Sequence, residues 1–121
     1  MFDANNKPKG LVRIYRATLN SARAFRWLFK NESAFRQELL LLILTVPLTF
    51  VFNISIKEQI ILILAVLFVV FTEIVNTAIE AVVDRVGLEI HPLSGLAKDL
   101  GSLAVGLSLI MATLVWIAVL L

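Results

Sequence analysis

Four polar residues share one side of a predicted helix that is otherwise apolar: Glu73, Asn76, Glu80 and Asp84. On a helix that turns about 100° per residue they fall within roughly 80° of one another, so they form a single polar stripe. A carboxylate near the centre of a bilayer costs about 2.5–3.5 kcal/mol on insertion scales. Hydrogen bonding between helices would need only Asn76 or Thr77. Two glutamates without a basic residue in the same span therefore indicate a cation site.

The spacing of the two glutamates predicts different roles. Glu73 lies seven residues, about 10 Å, deeper in the predicted helix than Glu80. The deeper acid is the one that a lipid hydroxyl could reach, which suits a general base. The shallower acid suits Mg²⁺, which prefers one or two carboxylates together with substrate phosphates. With Lys98 near the aqueous edge, these residue types fit phosphoryl transfer to a lipid alcohol.

No familiar catalytic motif accompanies these residues. The sequence contains no GxxxxGK phosphate loop, no GxGxxG, no GxSxG and no HExxH. Phosphate binding is therefore expected to use side chains. The absence of cysteine excludes disulfides and thiolate metal sites.

The composition predicts an all-α membrane protein. Of the 121 residues, 60% are hydrophobic, above the roughly 45–50% of soluble domains. Three apolar stretches, 39–56, 60–83 and 101–121, are each about 27–36 Å long as helices, enough to cross a hydrocarbon core of about 30 Å. We expect a single domain over residues 1–121. Its predicted transmembrane helices are 33–56, 59–85 and 99–121, preceded by a surface helix over 9–30.

The basic residues predict the orientation in the membrane. Eight of them precede the first predicted span, and Arg85 and Lys98 flank the connection after the second. The positive-inside rule therefore places the N-terminus and the 85–99 loop in the cytoplasm and the C-terminus outside. The first 38 residues lack the apolar core of a cleavable signal, so the first span is expected to direct insertion.

The segment 9–30 has the pattern of an amphipathic helix lying on the membrane surface, although a plain anchor would share that pattern. Its apolar arc contains Leu11, Ile14, Tyr15, Leu19, Ala22, Phe25 and Phe29, and its basic arc contains Arg13, Arg16, Arg23 and Lys30. Asn31 is expected to end this helix and cap the next one, which would place Glu32 in a first helical turn. An intrahelical pair or a headgroup contact would explain Arg36 and Glu38.

Three segments resemble the prokaryotic integral-membrane diacylglycerol kinase family: residues 31–38 (NESAFRQE), 73–85 (EIVNTAIEAVVDR) and 91–99 (HPLSGLAKD). The resemblance implies a homotrimer of three-span subunits, each with an N-terminal surface helix, in the bacterial inner membrane. It also implies phosphorylation of diacylglycerol to phosphatidic acid with MgATP, at sites shared between neighbouring subunits.

The same resemblance implies roles for individual residues. Glu73 resembles the catalytic base, and Glu32 and Glu80 resemble the metal ligands. The implied ATP-binding set is Arg13, Asn20, Glu32, Asn76, Glu80, Glu89, His91, Lys98 and Asp99. The implied lipid-substrate set is Arg13, Arg26, Ala34, Glu38, Glu73, Ser102 and Trp116. The sequence departs from the family pattern at Asn20, where a tyrosine is common, and at Pro92 and Leu96, which replace polar residues.

Two alternatives remain open. Undecaprenol kinases of the same family share the acid motif and differ in the lipid, although residues 84–87 and the Ser94–Gly95 pair look more like the diacylglycerol branch. The other alternative is a small cation or proton transporter, in which an oligomer would place a ring of acids in its spans. Residues 60–71 are wholly apolar, which leaves little of the second predicted span to line a water path.

Overall fold

The computed structural model describes residues 5–7 and 9–121, and this part of the chain forms four helices. They are α1 (Leu11–Asn31), α2 (Ser33–Leu48), α3 (Ile56–Val86) and α4 (Pro92–Leu120). The predicted all-α class is confirmed. The chain divides into two compact units, Met1–Arg36 and Gln37–Leu121. The single domain over residues 1–121 stays a prediction.

The first unit contains α1, whose start is set by a glycine. Gly10 precedes the helix with a φ of 65°, a conformation that side-chain-bearing residues rarely adopt. Among the residues of α1, all of which are described, Leu28 is the buried one. The predicted apolar arc is exposed within this unit, with Leu11 84% and Tyr15 66% exposed. An amphipathic helix that lies on a membrane surface would show this exposure when the protein is seen without the membrane.

The junction after α1 differs from the prediction. Asn31 is still helical, and its side-chain Nδ2 donates to the Trp27 carbonyl at 2.8 Å. Glu32 is the residue with extended backbone, at φ −115° and ψ 106°. Helix α1 ends at Asn31 as expected, but the predicted cap of the next helix was wrong, because the Asn31 amide bonds to a carbonyl of its own last turn. Glu32 therefore lies between the two helices, and its carbonyl accepts the Arg36 N–H at 3.2 Å.

Arg36 stabilises the C-terminal end of α1. Its guanidinium Nη1 donates to the carbonyls of Phe29 at 2.8 Å and Lys30 at 3.2 Å. Carbonyls at a helix C-terminus lack partners within the helix and favour a nearby cation. The predicted pair with Glu38 or contact with a headgroup stays a prediction. Phe25 and the buried Phe35 meet edge to face at 5.6 Å in the same unit.

Helix α2 ends earlier than predicted. The span expected over 33–56 is helical only over Ser33–Leu48. Pro47 has no N–H to donate within the helix, and a tight turn follows it. In that turn the Phe50 and Val51 N–H groups donate to the carbonyls three residues before them, at 3.1 and 3.0 Å.

The two long helices begin with side-chain caps. Ser55 and Glu58 form a reciprocal capping box at the start of α3, in which the Ser55 hydroxyl accepts the Glu58 N–H at 3.2 Å. The His91 Nδ1 accepts the Leu93 N–H at 3.1 Å at the start of α4, and Pro92 takes the first helical position. Because of this cap, α4 begins at Pro92, earlier than the predicted residue 99.

Helices α3 and α4 pack against each other along their apolar lengths. We call the paired segments 62–72 of α3 and 108–116 of α4 the distal half. Here the Trp116 indole N–H donates to the Leu62 carbonyl at 3.2 Å, and the hydroxyls of Thr72 and Ser108 lie 2.9 Å apart. Leu62 and Ser108 are almost fully buried. A polar contact at each end of this half therefore fixes the register between the helices.

Of the four helices in the described part of the chain, α3 and α4 are long and apolar enough to cross a membrane. Of the most apolar 18-residue stretch in each helix, 28% is buried in α3 and 6% in α4. The core helix of a soluble protein would bury most of such a stretch. The exposed apolar side chains therefore support a membrane environment. Helix α2, with 16 residues, falls short of the length required.

Candidate functional site

The predicted polar stripe lies along the last third of α3. Asn76 is buried, Glu73 and Glu80 are half-buried, and Asp84 is exposed. The Asn76 Nδ2 donates to the Glu80 Oε1 at 3.3 Å. Each residue of the stripe is about one helical turn from the next, and the last acid, Asp84, is the most exposed of the three.

Lys98 reaches this stripe from the opposite helix. Its Nζ lies 2.8 Å from the Asp84 Oδ1, and both side chains are about half exposed. An ion pair at that exposure adds little stability, since water competes for both charges. The negative charge of Glu80 also attracts the Lys98 ammonium. We call this region, from Asn76 to Asp84 on α3 and from His91 to Gly101 on α4, the loop end.

A cleft of about 260 Å³ lies beside the ion pair and is lined in part by Asp84, Glu89, His91 and Lys98. The structure thus brings together three residues of the predicted ATP-binding set. The His91 Nδ1 is engaged in the helix cap, so Nε2 is the ring nitrogen left to meet a ligand. Asp99 is exposed on α4 and is not among the residues that line this cleft.

A second, mostly apolar cleft of about 430 Å³ separates α2 from α3 and α4. Glu38 and Trp116, both in the predicted lipid set, line it together with side chains such as Leu41 and Val66. The charge of Glu38 repels that of Glu73, so the two carboxylates lie near each other. The Glu38 Oε2 is buried without a hydrogen-bond partner among the described residues. Ser102, the remaining lipid-set residue of this unit, is exposed on α4.

Five predicted site residues belong to the first unit. Arg13 and Arg26 are exposed on α1, where Asn20 is half-buried. Glu32 and Ala34 are half-buried at the junction between α1 and α2. Their roles toward metal, nucleotide and lipid stay predictions.

The described residues contain no group of three or more His, Cys, Asp and Glu side chains arranged to hold a metal. Glu80 nevertheless fits a magnesium ion that arrives with a nucleotide, since Mg²⁺ takes one or two carboxylates and completes its shell with phosphates and water. The Asn76 amide occupies one Glu80 oxygen at 3.3 Å, and a carboxylate has acceptor capacity beyond that one bond.

Sequence reasoning missed two contacts across the helix pair. Asp84 was placed in the stripe without a partner, and Gly101 was not among the predicted site residues. The structure pairs Asp84 with Lys98 and places Asn76 directly against Gly101. No regularity of spacing within one helix reveals either contact, because both depend on the register between α3 and α4.

The fold and the site define a helical protein of membrane type, in which acids and a lysine from two long helices meet at one end. The chain belongs to the prokaryotic diacylglycerol kinase family, whose profile matches residues 19–120. The predicted family is thereby confirmed.

Three bacterial relatives bear the name diacylglycerol kinase. The protein of Pseudomonas aeruginosa is 44% identical over 93% of this chain and 91% of its own length. That of Haemophilus influenzae is 43% identical over 91% of this chain and 93% of its own length. That of Escherichia coli is 42% identical over 92% of this chain and 91% of its own length. The similarity therefore extends over nearly the whole of each protein.

Proposed function

We propose that this chain is an ATP-dependent diacylglycerol kinase, which transfers the γ-phosphate of ATP to the free hydroxyl of diacylglycerol. The products are phosphatidic acid and ADP. The observation that carries the proposal is the ion pair of Lys98 with Asp84 at the loop end, one helical turn from Glu80, in a chain of the diacylglycerol kinase family. Phosphoryl transfer depends chiefly on positioning and on stabilising charge, and a carboxylate beside an ammonium supplies both kinds of group.

The nucleotide is proposed to bind in the cleft at the loop end. Lys98 neutralises charge on the phosphates, while Glu89 and His91 line the same cleft as polar contacts. Asn76, Asp99, Arg13 and Asn20 complete the proposed ATP-binding set. Magnesium bound with the phosphates would neutralise the charge that develops during transfer. Its proposed ligands are Glu80 and Glu32.

Glu73 is the proposed general base. As the lipid oxygen forms its bond to the γ-phosphorus, the bond from that phosphorus to the bridging oxygen breaks and ADP leaves. The proton of the lipid hydroxyl passes to the Glu73 carboxylate. Glu73 suits this step because it lies deeper along α3 than Glu80, and because Glu38, which interacts with it, also lines the apolar cleft.

The apolar cleft is the proposed site of the lipid chains. Its lining of aliphatic side chains and Trp116 suits acyl groups, and Glu38 at the same cleft suits the glycerol hydroxyl. Ser102, Arg13, Arg26 and Ala34 are proposed to contact the lipid as well. The amphipathic α1 would hold its arginines among lipid phosphates at the membrane surface.

We further propose a homotrimer of three-span subunits in the bacterial inner membrane. The N-terminus and the 85–99 loop would face the cytoplasm and the C-terminus the periplasm. The exposed apolar surfaces of α3 and α4 supply area for contacts between subunits. If sites are shared between neighbours, inactive Glu73→Gln and Lys98→Met chains should partly rescue each other when mixed. No rescue at any mixing ratio would place each site within one chain.

The function is tested with purified protein in mixed micelles that contain radiolabelled ATP and one lipid alcohol. We expect label in phosphatidic acid when the alcohol is diacylglycerol, and little label when it is undecaprenol. Preferential labelling of undecaprenol would assign the chain to the other branch of the family. Label in neither lipid, with cation flux into proteoliposomes, would replace the kinase with a transporter.

A further inference from the structure

The tightest contact between α3 and α4 at the loop end lies at Gly101. This residue is buried, and a Cβ built on it would overlap the Asn76 Oδ1 and approach the amide carbon at 3.1 Å. Gly106 lies five residues further along α4, and a Cβ built on it would have no atom within 4 Å. The two glycines therefore differ, and only at Gly101 does the side chain of the other helix occupy the missing methyl position.

This contact determines how the Asn76 amide is oriented. Asn76 is 8% exposed, and its Oδ1 finds no hydrogen-bond partner among the described residues. A buried acceptor without a partner costs free energy, so its retention calls for a compensating contact. With Oδ1 against Gly101, the other arm of the planar amide, Nδ2, points to Glu80 and donates to its Oε1. Because Gly101 has no side chain, α4 leaves room for the orientation of the Asn76 amide that holds the Glu80 carboxylate.

We propose that Gly101 is a positioning residue of the metal site, which acts by leaving room for the Asn76 amide that orients Glu80. The inference rests on the proposed function, since it assumes that Glu80 is a metal ligand. Groups that hydrogen-bond a ligating carboxylate fix its direction, and their loss typically lowers metal affinity about 10–100-fold. Gly101 touches neither metal nor nucleotide and acts through Asn76 alone.

The test measures binding of the non-hydrolysable β,γ-imido analogue of ATP to the full-length protein in detergent micelles. Equilibrium dialysis with and without Mn²⁺, an oxygen-preferring stand-in for Mg²⁺, gives the gain in affinity that the metal provides. Gly101→Ala should reduce this gain by about tenfold. Gly106→Ala is the matched control and should retain the full gain. Equal gains in Gly101→Ala and Gly106→Ala would overturn the inference.

Asn76→Ala and the double variant Gly101→Ala/Asn76→Ala keep the test decisive if Gly101→Ala does not assemble. Removing the amide removes the overlap, so the double variant should assemble and should bind like Asn76→Ala alone. Mutations that act through one contact are non-additive in this way. A further loss of the Mn²⁺-dependent gain in the double variant, or its failure to assemble where Asn76→Ala assembles, would contradict a role through Asn76.

Glu80→Gln separates this inference from the function on which it rests. An undiminished Mn²⁺-dependent gain in Glu80→Gln would remove Glu80 from the metal site, and the proposed metal ligand would be wrong. A gain that is lost in Glu80→Gln and kept in Gly101→Ala would overturn the role of Gly101 alone.

Discussion

The distal half and the loop end of the α3–α4 pair use similar polar groups for different purposes. In the distal half, the Trp116 indole and the Thr72 and Ser108 hydroxyls all find partners within the protein. At the loop end, the Asn76 Oδ1 is buried without a partner among the described residues. The distal half therefore has no polar group in these contacts that awaits a ligand, whereas the loop end has acceptor capacity to spare.

The charged side chains are likewise divided between the distal half and the loop end. The buried apolar side chains of α3, among them Leu62, Val66 and Val69, lie in the distal half. The carboxylates of Glu80 and Asp84 and the ammonium of Lys98 lie at the loop end, where they are half-buried or exposed. A scaffold at one end and accessible charges at the other is the division expected of an enzyme that holds its reactive groups on rigid helices. Mutations in the two regions should consequently have different effects.

The largest effect is expected at Glu73, just beyond the distal half. Glu73→Gln preserves the shape and removes the basicity, so kcat for diacylglycerol phosphorylation should fall by about 10²–10⁴-fold. Binding of the Mn²⁺ complex of the ATP analogue should change little. Glu58→Gln is the control, because Glu58 serves the capping box at the opposite end of α3. If the acidic limb of the pH–rate profile were unchanged in the residual Glu73→Gln activity, another group would be the base.

A smaller loss is expected at Lys98. Lys98→Met removes a charge-assisted contact to phosphate, so kcat/KM for ATP should fall by about 10–100-fold, while assembly and lipid binding persist. Lys98→Arg should restore little, because the guanidinium fork reaches differently from the ammonium. Steady-state kinetics with varied ATP measure the effect, with Lys57→Met at the opposite end of α3 as the control. Normal turnover by Lys98→Met would remove this lysine from the site.

At Ser108, which lies in the distal half but does not line the apolar cleft, mutation should affect stability and leave catalysis intact. Ser108→Ala removes the hydrogen bond to Thr72 between the helices, which should lower the free energy of unfolding by about 1 kcal/mol. Thr18→Ala is matched to it, since the Thr18 hydroxyl is exposed and bonds to the Ile14 carbonyl of its own helix. Thermal unfolding in detergent and the kcat of both variants give the comparison. A large fall in kcat for Ser108→Ala would show that the two regions are not separate in function.

The local pattern of the sequence predicts the helices and the acid stripe, because these depend on spacing within one element. The stripe from Glu73 to Asp84 and the amphipathic α1 follow from the helical repeat alone. Three features do not: the end of α2 at Leu48, the cap at His91, and the pairing of Asp84 with Lys98. The first depends on local backbone hydrogen bonds, the second on a hydrogen bond to the His91 side chain, and the third on register between helices.

The first unit also contains one feature that the helical period predicts and one that it does not. From the helical period, one basic arc of α1 could be assigned, which contains Arg13, Arg16, Arg23 and Lys30. Arg36, by contrast, was expected to form an intrahelical pair or a headgroup contact, and its bonds to the terminal carbonyls of α1 were not predicted. A side chain that reaches back six or seven residues to a backbone carbonyl leaves no periodic signal.

The nucleotide is proposed to bind at the loop end and not at the opposite end of the same helices. Because the chain has no cysteine, Val86→Cys and Lys57→Cys each accept a single nitroxide spin label. The two positions lie at opposite ends of α3, about 43 Å apart at the rise of a helix. Addition of Mn²⁺ with the ATP analogue should strongly enhance the relaxation of the label at residue 86 and leave that at residue 57 nearly unchanged. Equal enhancement at both positions, or a stronger effect at residue 57, would contradict the account.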